Sequence, residues 1–148
     1  TKYFAVLNLK DKPAIKIIDR VFELHYLENR GAAFGMLQNQ KLMFVVIACI
    51  MMVVVCYVLL KIPEERKYAV LKICMLLVGA GAIGNLIDRL ANGFVVDFFY
   101  FVLIDFPIFN VADIYVTISC ILLIITILFF YREEDLKFLK LWNSSDSQ

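Results

Sequence analysis

Four aspartates are concentrated in the stretch from Gly79 to Asp113, which separates two long apolar segments. The polar residues of this stretch include Asn85, Asp88, Arg89, Asp97, Asp105, Asn110 and Asp113. A carboxylate in or beside a membrane is costly, so several of them between two apolar spans indicate a functional site. The sequence therefore predicts a polar site at one surface of a membrane.

Two carboxylates held close together suggest acid–base chemistry. They do not both ionise cheaply, so one keeps its proton while the other acts as a base on a water molecule, and the protonated partner polarises a carbonyl group. Asp97 has apolar neighbours that disfavour its charged form, whereas Asp113 lies at the start of the last apolar span, where a helix N-terminus favours negative charge. These surroundings would separate the two pKa values, and the pair would titrate as a unit.

Each aspartate also has a structural interpretation. Asn110 and Asp113 have the spacing of a helix N-cap followed by an acidic third residue. Asp88 and Arg89 could form an ion pair at the interface, and Asp105 is interpreted as a turn residue because a proline follows two positions later. As a set at one membrane face the aspartates favour a function, but their spacing leaves open which two form a pair.

The composition indicates a membrane protein. Hydrophobic residues make up 62% of the 148 residues and the mean hydropathy is +0.80, whereas a soluble domain is nearer half apolar. The formal net charge of +1 gives no reason to expect a nucleic-acid partner. The segments 42–60, 68–87 and 114–131 are long and apolar enough to cross a bilayer as helices.

The residues that could bind a metal ion are scattered. The cysteines, which are Cys49, Cys56, Cys74 and Cys120, fall inside apolar runs without a CxxC pair, and the only histidine is His25. A metal site needs clustered ligands, so we expect no metal site and interpret the cysteines as small buried hydrophobic residues. His25 lies in the stretch from Ile15 to Leu27, whose alternation is typical of a half-buried strand, and is interpreted as a solvent-side strand residue.

The connections between the spans suggest an orientation. The stretch 88–109 is a polar and aromatic excursion suited to the membrane interface, and it carries only Arg89 as a basic residue. Basic residues are more frequent in the loop 61–67 and in the tail 132–148. The positive-inside rule then places the loop and the tail in the cytosol and the aspartates outside, although the N-terminal segment also carries several basic residues and would lie outside.

Four sequence blocks taken together resemble the bacterial lipoprotein signal peptidases, also called signal peptidase II. The blocks are NRGAAFG at 29–35, GAIGNLIDRL at 81–90, GFVVDF at 93–98 and FNVAD at 109–113. They occur in the order and spacing of that family, and the resemblance extends from Thr1 to about Tyr131. It implies a membrane aspartic endopeptidase that removes the signal peptide from a prolipoprotein, just before the cysteine that carries a diacylglyceryl group.

The resemblance also implies roles for particular residues. Asp97 and Asp113 would form the catalytic pair, with no metal or other cofactor. The family's supporting residues, which are thought to hold the pair, the substrate backbone or its lipid-bearing end, correspond to Asn29, Asn85, Asp88, Arg89 and Asn110. From residue type alone, the favoured interpretation of Asn29 is instead part of a small-residue turn.

The family fold is an α-helical four-helix transmembrane bundle with a small extracytoplasmic β-cradle and an interfacial helix. We therefore expect a single membrane-embedded peptidase domain over 1–148, with 15–28 in the β-cradle, the aromatic run after Gly93 in the interfacial part, and 132–148 as a cytoplasmic tail. The family's first span usually ends in D-Q-x-T-K, which Thr1 and Lys2 match at its last two positions. We expect 1–9 to be the remnant of that span and most of the first helix to be missing.

The same resemblance implies a location and partners. We expect a multi-pass protein of the bacterial cytoplasmic (inner) membrane, with its site near the extracytoplasmic face. Its partners would be lipid-modified prolipoprotein signal peptides and membrane lipids, without nucleic acid, and we expect it to be a monomer.

Two other functions fit the same residues. A proton-coupled transporter, or an accessory subunit of one, could use the aspartates as a proton relay, although such proteins tend to show internal repeats and the sequence has none. A non-catalytic assembly protein could use the small residues of 79–84 to pack against a partner. The peptidase is the favoured prediction, and replacing Asp97 or Asp113 by asparagine would separate it from both alternatives.

Overall fold

The computed structural model describes residues 1–31, 37 and 40–139. In chain order, these residues form the helices and strands α1 (Lys2–Leu9), β1 (Ile15–Ile18), β2 (Phe22–Asn29), α2 (Lys41–Lys61), α3 (Ala69–Asn92), β3 (Val95–Tyr100) and α4 (Val111–Phe129). Short 3-10 segments lie at Arg66–Tyr68, Val102–Ile104 and Glu133–Leu139. The helix α2, the stretch Arg66–Asn92 and the helix α4 are each long and apolar enough to cross a membrane, which confirms the predicted helical membrane fold.

The long helices are apolar on their outward faces. Large exposed hydrophobic side chains follow them, among them Leu42, Val53, Leu60, Ile73, Leu76, Ile121 and Leu128. Apolar surface of this extent is what acyl chains of a bilayer cover. The interpretation of the cysteines as buried was wrong for three of them: Cys74 is buried, whereas Cys49, Cys56 and Cys120 are exposed on α2 and α4. A thiol is apolar enough to face lipid, so it does not need burial within the protein.

The helix α3 packs against both α2 and α4. It lies very close to α4 at Gly81, where an added Cβ would lie 2.5 Å from the carbonyl oxygen of Ala112 and 2.7 Å from a methyl group of Val116. Only a residue without a side chain fits this crossing, as is common where membrane helices meet. The small residue at position 81 therefore sets how closely the start of α4 lies against α3.

The helix α3 extends further than the sequence predicted. The predicted span ended before Asp88 and left Asp88 and Arg89 in the polar and aromatic excursion, whereas the helix continues to Asn92. The charged turn remains helical because the Asp88 carboxylate is paired with the Lys2 ammonium, at 2.8 Å. The helix ends at Gly93, whose φ of +83° is a left-handed conformation that glycine adopts without strain.

The strands form an antiparallel sheet in the order β1-β2-β3. The stretch 15–28, expected in the β-cradle, contains the two strands of a hairpin rather than the one strand suggested by its alternation. In its turn Arg20 has a φ of +57°. The sheet therefore begins with β1 and β2 and needs a third strand from elsewhere in the chain.

That third strand is β3, the beginning of the aromatic run after Gly93. This run was expected in the interfacial part, but Val95–Tyr100 pairs with β2, with Leu27 opposite Asp97 and Asn29 opposite Val95. Valine, phenylalanine and tyrosine favour a pleated, half-buried strand, and β2 offers them a free edge. The pairing brings the end of β2 and the middle of β3 to the same place as the end of α3.

Two apolar clusters fix the two ends of the helix bundle. Between α1 and the sheet, Ala5, Leu9, Val96 and Phe98 are buried together. Near the start of α3, the buried cluster consists of Val55, Ile62, Tyr68, Leu71, Met75 and Val78, and Phe138 of the last 3-10 segment packs against it. The second cluster anchors the C-terminal segment, because the Tyr68 hydroxyl also donates a hydrogen bond to the carbonyl oxygen of Asp135, at 2.9 Å.

Candidate active site

A cavity of about 570 Å³ lies where the ends of α3 and β2 meet β3 and the start of α4. This volume is in the range of pockets that hold a small ligand or a short segment of substrate. Its lining is mostly apolar and includes Phe44, Val95, Phe106, Phe109, Ile114 and Ile118. Five of the seven predicted site residues also line it, namely Asn29, Asn85, Arg89, Asp97 and Asp113. The other two, Asp88 and Asn110, are buried close behind its wall.

Asp97 lies in the middle of β3 and its side chain is almost completely buried, with 1% of its surface exposed. Its Oδ2 accepts a hydrogen bond from the Asn29 side-chain amide at 2.8 Å, and its Oδ1 accepts one from the Asn110 amide at 2.6 Å. Burial raises the pKa of Asp97 to about 6, from an ordinary 3.8. The two amide hydrogen bonds and the Lys2 charge oppose this rise in pKa, and the charge of Asp113 adds to it.

Asp113 lies in the first turn of α4 and is held by the helix start itself. Its Oδ2 accepts a hydrogen bond from the backbone N–H of Asn110 at 3.0 Å, and the Asn110 Oδ1 accepts one from the backbone N–H of Ala112 at 2.7 Å. Together these contacts form a capping box, which confirms the structural interpretation of this pair. The remaining oxygen, Oδ1, accepts from the Asn85 amide at 2.8 Å, so the cap also aims Asp113 at the cavity.

Asn110 connects the two carboxylates. It is fully buried, and its Nδ2 contacts the Asn85 Oδ1 at 3.2 Å as well as the Asp97 Oδ1. Asn85 in turn donates to Asp113. Each carboxylate oxygen therefore has one donor and keeps further lone-pair capacity for a water molecule or a substrate group.

Behind this network lies Lys2, a residue absent from the predicted site. Its Nζ pairs with the Asp88 Oδ2 at 2.8 Å and donates to the Asn85 Oδ1 at 2.7 Å and to the Gly84 carbonyl oxygen at 3.2 Å. Asp88 also accepts from the backbone N–H of Val96, at 3.0 Å. The sequence held two signals for it: a charge at the start of the segment KYFAVLNL, and the match of Lys2 to the last position of the D-Q-x-T-K pattern.

The suggested ion pair between Asp88 and Arg89 does not form. Neighbouring residues on a helix point to different faces, so Asp88 turns towards α1 and Arg89 towards the cavity. The Arg89 guanidinium donates to the carbonyl oxygen of Gly31 at 3.3 Å and lies over the Phe44 ring, 4.6 Å from its centre. Arg89 thus provides a positive charge on the cavity wall.

Two other polar residues lie outside the cavity lining. Asp105 has a φ of +47°, and its Oδ1 accepts from the Tyr100 hydroxyl at 2.6 Å, as suits a turn residue. His25 is half-buried on β2 and hydrogen-bonded to Glu23 at 2.8 Å. Within residues 1–31, 37 and 40–139, no three histidine, cysteine, aspartate or glutamate side chains cluster in a way that would bind a metal ion.

Three membrane-spanning segments, a sheet at one end of them and two buried carboxylates on a shared cavity define a multi-pass membrane protein with an acidic site. Solved structures with this architecture are bacterial membrane enzymes. One, determined by the in meso method at 2.3 Å resolution, superposes with a TM-score of 0.72 and 30% identity over 96% of this chain and 90% of that one. Another, at 1.9 Å resolution, has a TM-score of 0.74 and 33% identity over 88% and 84% of the two chains.

The particular family follows from the sequence of residues 1–129, which matches the family model described as signal peptidase (SPase) II. The lipoprotein signal peptidase of Clostridioides difficile (strain 630) is 43% identical over 131 residues, which cover 88% of this chain and 86% of that protein. The lipoprotein signal peptidase of Streptococcus thermophilus (strain CNRZ 1066) is 42% identical over 134 residues, 90% and 84% of the two. The chain belongs to the signal peptidase II family and is a membrane peptidase, as its four sequence blocks predicted.

Proposed function

We propose that this peptidase is an aspartic endopeptidase that removes the signal peptide from diacylglyceryl-modified prolipoproteins, with Asp97 and Asp113 as its catalytic pair. The observation that carries the proposal is the shared cavity. Two carboxylates from different elements, β3 and α4, line it together and are linked through the side chains of Asn110 and Asn85.

The surroundings of the two carboxylates suit a shared proton. Asp97 is buried, and its pKa of about 6 lets it hold a proton under mildly acidic conditions. Asp113 lies in the first turn of α4, and its charge acts on Asp97. Because the two charges interact, the protons belong to the pair as a unit.

The proposed reaction needs only these groups and water. The ionised carboxylate takes a proton from a water molecule as its oxygen attacks the scissile carbonyl carbon, and the protonated carboxyl hydrogen-bonds to the carbonyl oxygen. The tetrahedral intermediate then collapses, and the departing nitrogen receives a proton from the pair. Asn29, Asn85 and Asn110 keep both carboxyl groups in position throughout, because together they donate to all four carboxyl oxygens, Asn110 through both its side chain and its backbone N–H.

The substrate class is supported by the lining of the cavity and by the names of the relatives. The relatives are lipoprotein signal peptidases. The cavity lining contributed by 106–109, Ile114 and Ile118 is apolar, which suits a signal helix and an acyl chain. Arg89 of α3 and Asn29 of β2 add polar groups to the lining that a peptide backbone needs. In the proposed orientation the cavity faces the extracytoplasmic side of the bacterial inner membrane.

The proposal is tested by cleavage of a diacylglyceryl-modified prolipoprotein, followed as a shift on a gel. We expect the unaltered protein to cleave it, and Asp97→Asn and Asp113→Asn each to lose about a hundredfold or more of the rate, the usual contribution of a positioned acid or base. Membrane insertion of each variant is checked in the same preparations.

A matched control is Asp105→Asn, which changes the same functional group on a residue outside the cavity lining. Asparagine tolerates the positive φ of this position, so cleavage should stay near that of the unaltered protein. Normal processing by both Asp97→Asn and Asp113→Asn would refute the catalytic pair, and no cleavage by the unaltered protein would favour a proton relay or an assembly role.

A further inference from the structure

The structure assigns to Lys2 a role as a positioning residue for the catalytic pair, beyond its ion pair with Asp88. The inference rests on the proposed function of Asp97 and Asp113. It follows from an ammonium group that is held behind the cavity, contacts the asparagine between the two carboxylates, and comes from α1, an element that contributes no residue to the cavity lining.

The first step concerns the orientation of Asn85. A side-chain amide can turn by half a rotation and exchange its oxygen and nitrogen, which would direct an oxygen at the Asp113 carboxylate and repel it. Lys2 donates to the Asn85 Oδ1 at 2.7 Å, and an ammonium group has no acceptor capacity. This contact keeps the amide nitrogen directed at Asp113, to which it donates at 2.8 Å.

The second step concerns Asn110. The Asn85 oxygen that accepts from Lys2 also accepts from the Asn110 Nδ2, whose other contact is the Asp97 Oδ1. One cation thus orders a chain of donors that ends on both carboxylates. The Lys2 side chain is only 16% exposed, so water screens this effect weakly.

The third step concerns charge. Lys2 lies close enough to Asp97 to favour its ionised form. Two charged side chains of α3 lie near the pair: Arg89 interacts electrostatically with Asp97 and Asp113, and Asp88 is the ion-pair partner of Lys2. Removing the Lys2 charge while these stay in place should raise the pH at which Asp97 ionises.

Lys2 could instead serve only as the ion-pair partner of Asp88. A variant with both residues replaced separates this structural role from a role in positioning the catalytic pair. In Lys2→Met the Asp88 carboxylate is left buried without its cation, which by itself destabilises the fold. In Lys2→Met with Asp88→Asn that charge is also gone, while the amide oxygen at 88 still accepts from the Val96 backbone N–H. If Lys2 serves only Asp88, the double variant should match Asp88→Asn alone.

The experiment compares the full-length protein with Lys2→Met, Lys2→Arg, Asp88→Asn and the double variant, by kcat and KM for prolipoprotein cleavage over a range of pH. We expect the double variant to have a kcat about tenfold below that of Asp88→Asn, with little change in KM, the effect of one lost hydrogen bond to a charged group. In Lys2→Met the limb of the pH profile that follows Asp97 should move to higher pH, and Lys2→Arg, which keeps the charge, should leave it in place. Lys10→Met is the matched control: Lys10 is the residue directly after α1, and it pairs with Glu28 at 3.4 Å, away from the cavity.

Three results would overturn the inference: a double variant as active as Asp88→Asn, an unmoved pH limb in Lys2→Met, or the same losses in Lys10→Met. Cleavage by the unaltered protein tests the proposed function separately from these comparisons. The pH dependence of unfolding gives a readout without catalysis, because the upper end of the pH interval assigned to Asp97, which is set by its pKa in the folded protein, should move to higher pH in Lys2→Met. An unmoved upper end contradicts the role of Lys2 whether or not the protein cleaves this substrate.

Discussion

Replacing Asp97 by asparagine removes a titrating carboxyl group at nearly constant size, and the structure gives both parts of the effect on stability. The carboxyl has a pKa of about 6 in the folded protein, against an ordinary 3.8. The folded chain therefore binds this proton more tightly than the unfolded chain, and the free energy of unfolding falls as pH rises from about 4 to about 6. At 1.36 kcal/mol for each pH unit, the fall amounts to about 3 kcal/mol and persists at higher pH.

The asparagine variant lacks this fall but introduces a cost of its own. Both oxygens of Asp97 accept from amide nitrogens, so an NH2 group at position 97 must face the NH2 group of Asn29 or of Asn110. Neither partner turns freely, because the Asn29 oxygen accepts from the Gly31 N–H at 2.9 Å and the Asn110 oxygen from that of Ala112 at 2.7 Å. Two buried donors facing each other cost about 1–3 kcal/mol.

At neutral pH the variant gains by lacking the titrating carboxyl and loses by the facing amide donors, so the two effects oppose each other. In acid only the cost of the facing donors remains. At about pH 7.5 the variant should lie within about 2 kcal/mol of the unaltered protein, whereas at about pH 4 it should be less stable by about 1–3 kcal/mol. The assay is unfolding in detergent at several pH values, and the difference between the two curves isolates Asp97 from other titrating groups. Asp105→Asn should follow the unaltered protein throughout. Parallel curves for Asp97→Asn and the unaltered protein would refute the raised pKa of Asp97 and the reasoning built on it.

Two further pairs of variants test the helices that carry the site. Asn110→Ala removes both the N-cap of α4 and the amide that contacts Asp97, and should cost about 2 kcal/mol or more; Asn110→Ser restores a cap and should recover about 1 kcal/mol of stability in unfolding assays, but not cleavage. Equal recovery of both would contradict a separate role for the amide. Gly81→Ala forces a methyl group against Ala112 and should destabilise by about 1–3 kcal/mol, whereas Gly84→Ala, with an ordinary contact distance of 3.5 Å, should be neutral or slightly stabilising in the same unfolding assay. Similar stabilities for the two alanine variants would contradict the tight crossing.

The parts of the site that depend on neighbours in sequence were predictable. The spacing of Asn110 and Asp113 predicted the cap of α4, because a capping box joins residues only three positions apart. The apolar runs predicted the three long helices, because length and composition decide whether a segment spans a bilayer. The four sequence blocks then predicted the family, since their order and spacing are specific together.

The parts that depend on distant residues were not predictable from local patterns. Lys2 and Asp88 belong to different helices, and nothing in the apolar segment after Lys2 indicates its partner. The adjacent Arg89 looked like a better partner for Asp88, but helix geometry directs the two apart. The strand β3 was missed for a related reason: its sequence, VVDFFY, becomes a strand because β2 lies beside it.

The place of β3 in the chain has a consequence for how the enzyme matures. Asn29 and Asp97 are separated by 68 residues, and both α2 and α3 lie between them. At the usual synthesis rate of about 5–20 residues per second, these take roughly 3 to 14 seconds to emerge from a ribosome. The hairpin of β1 and β2 is synthesised first, and the third strand of the sheet becomes available only after two helices have been synthesised. The carboxylates therefore meet late in biogenesis, and under the proposed function a nascent chain with an incomplete bundle lacks an assembled site for cleaving the peptides around it.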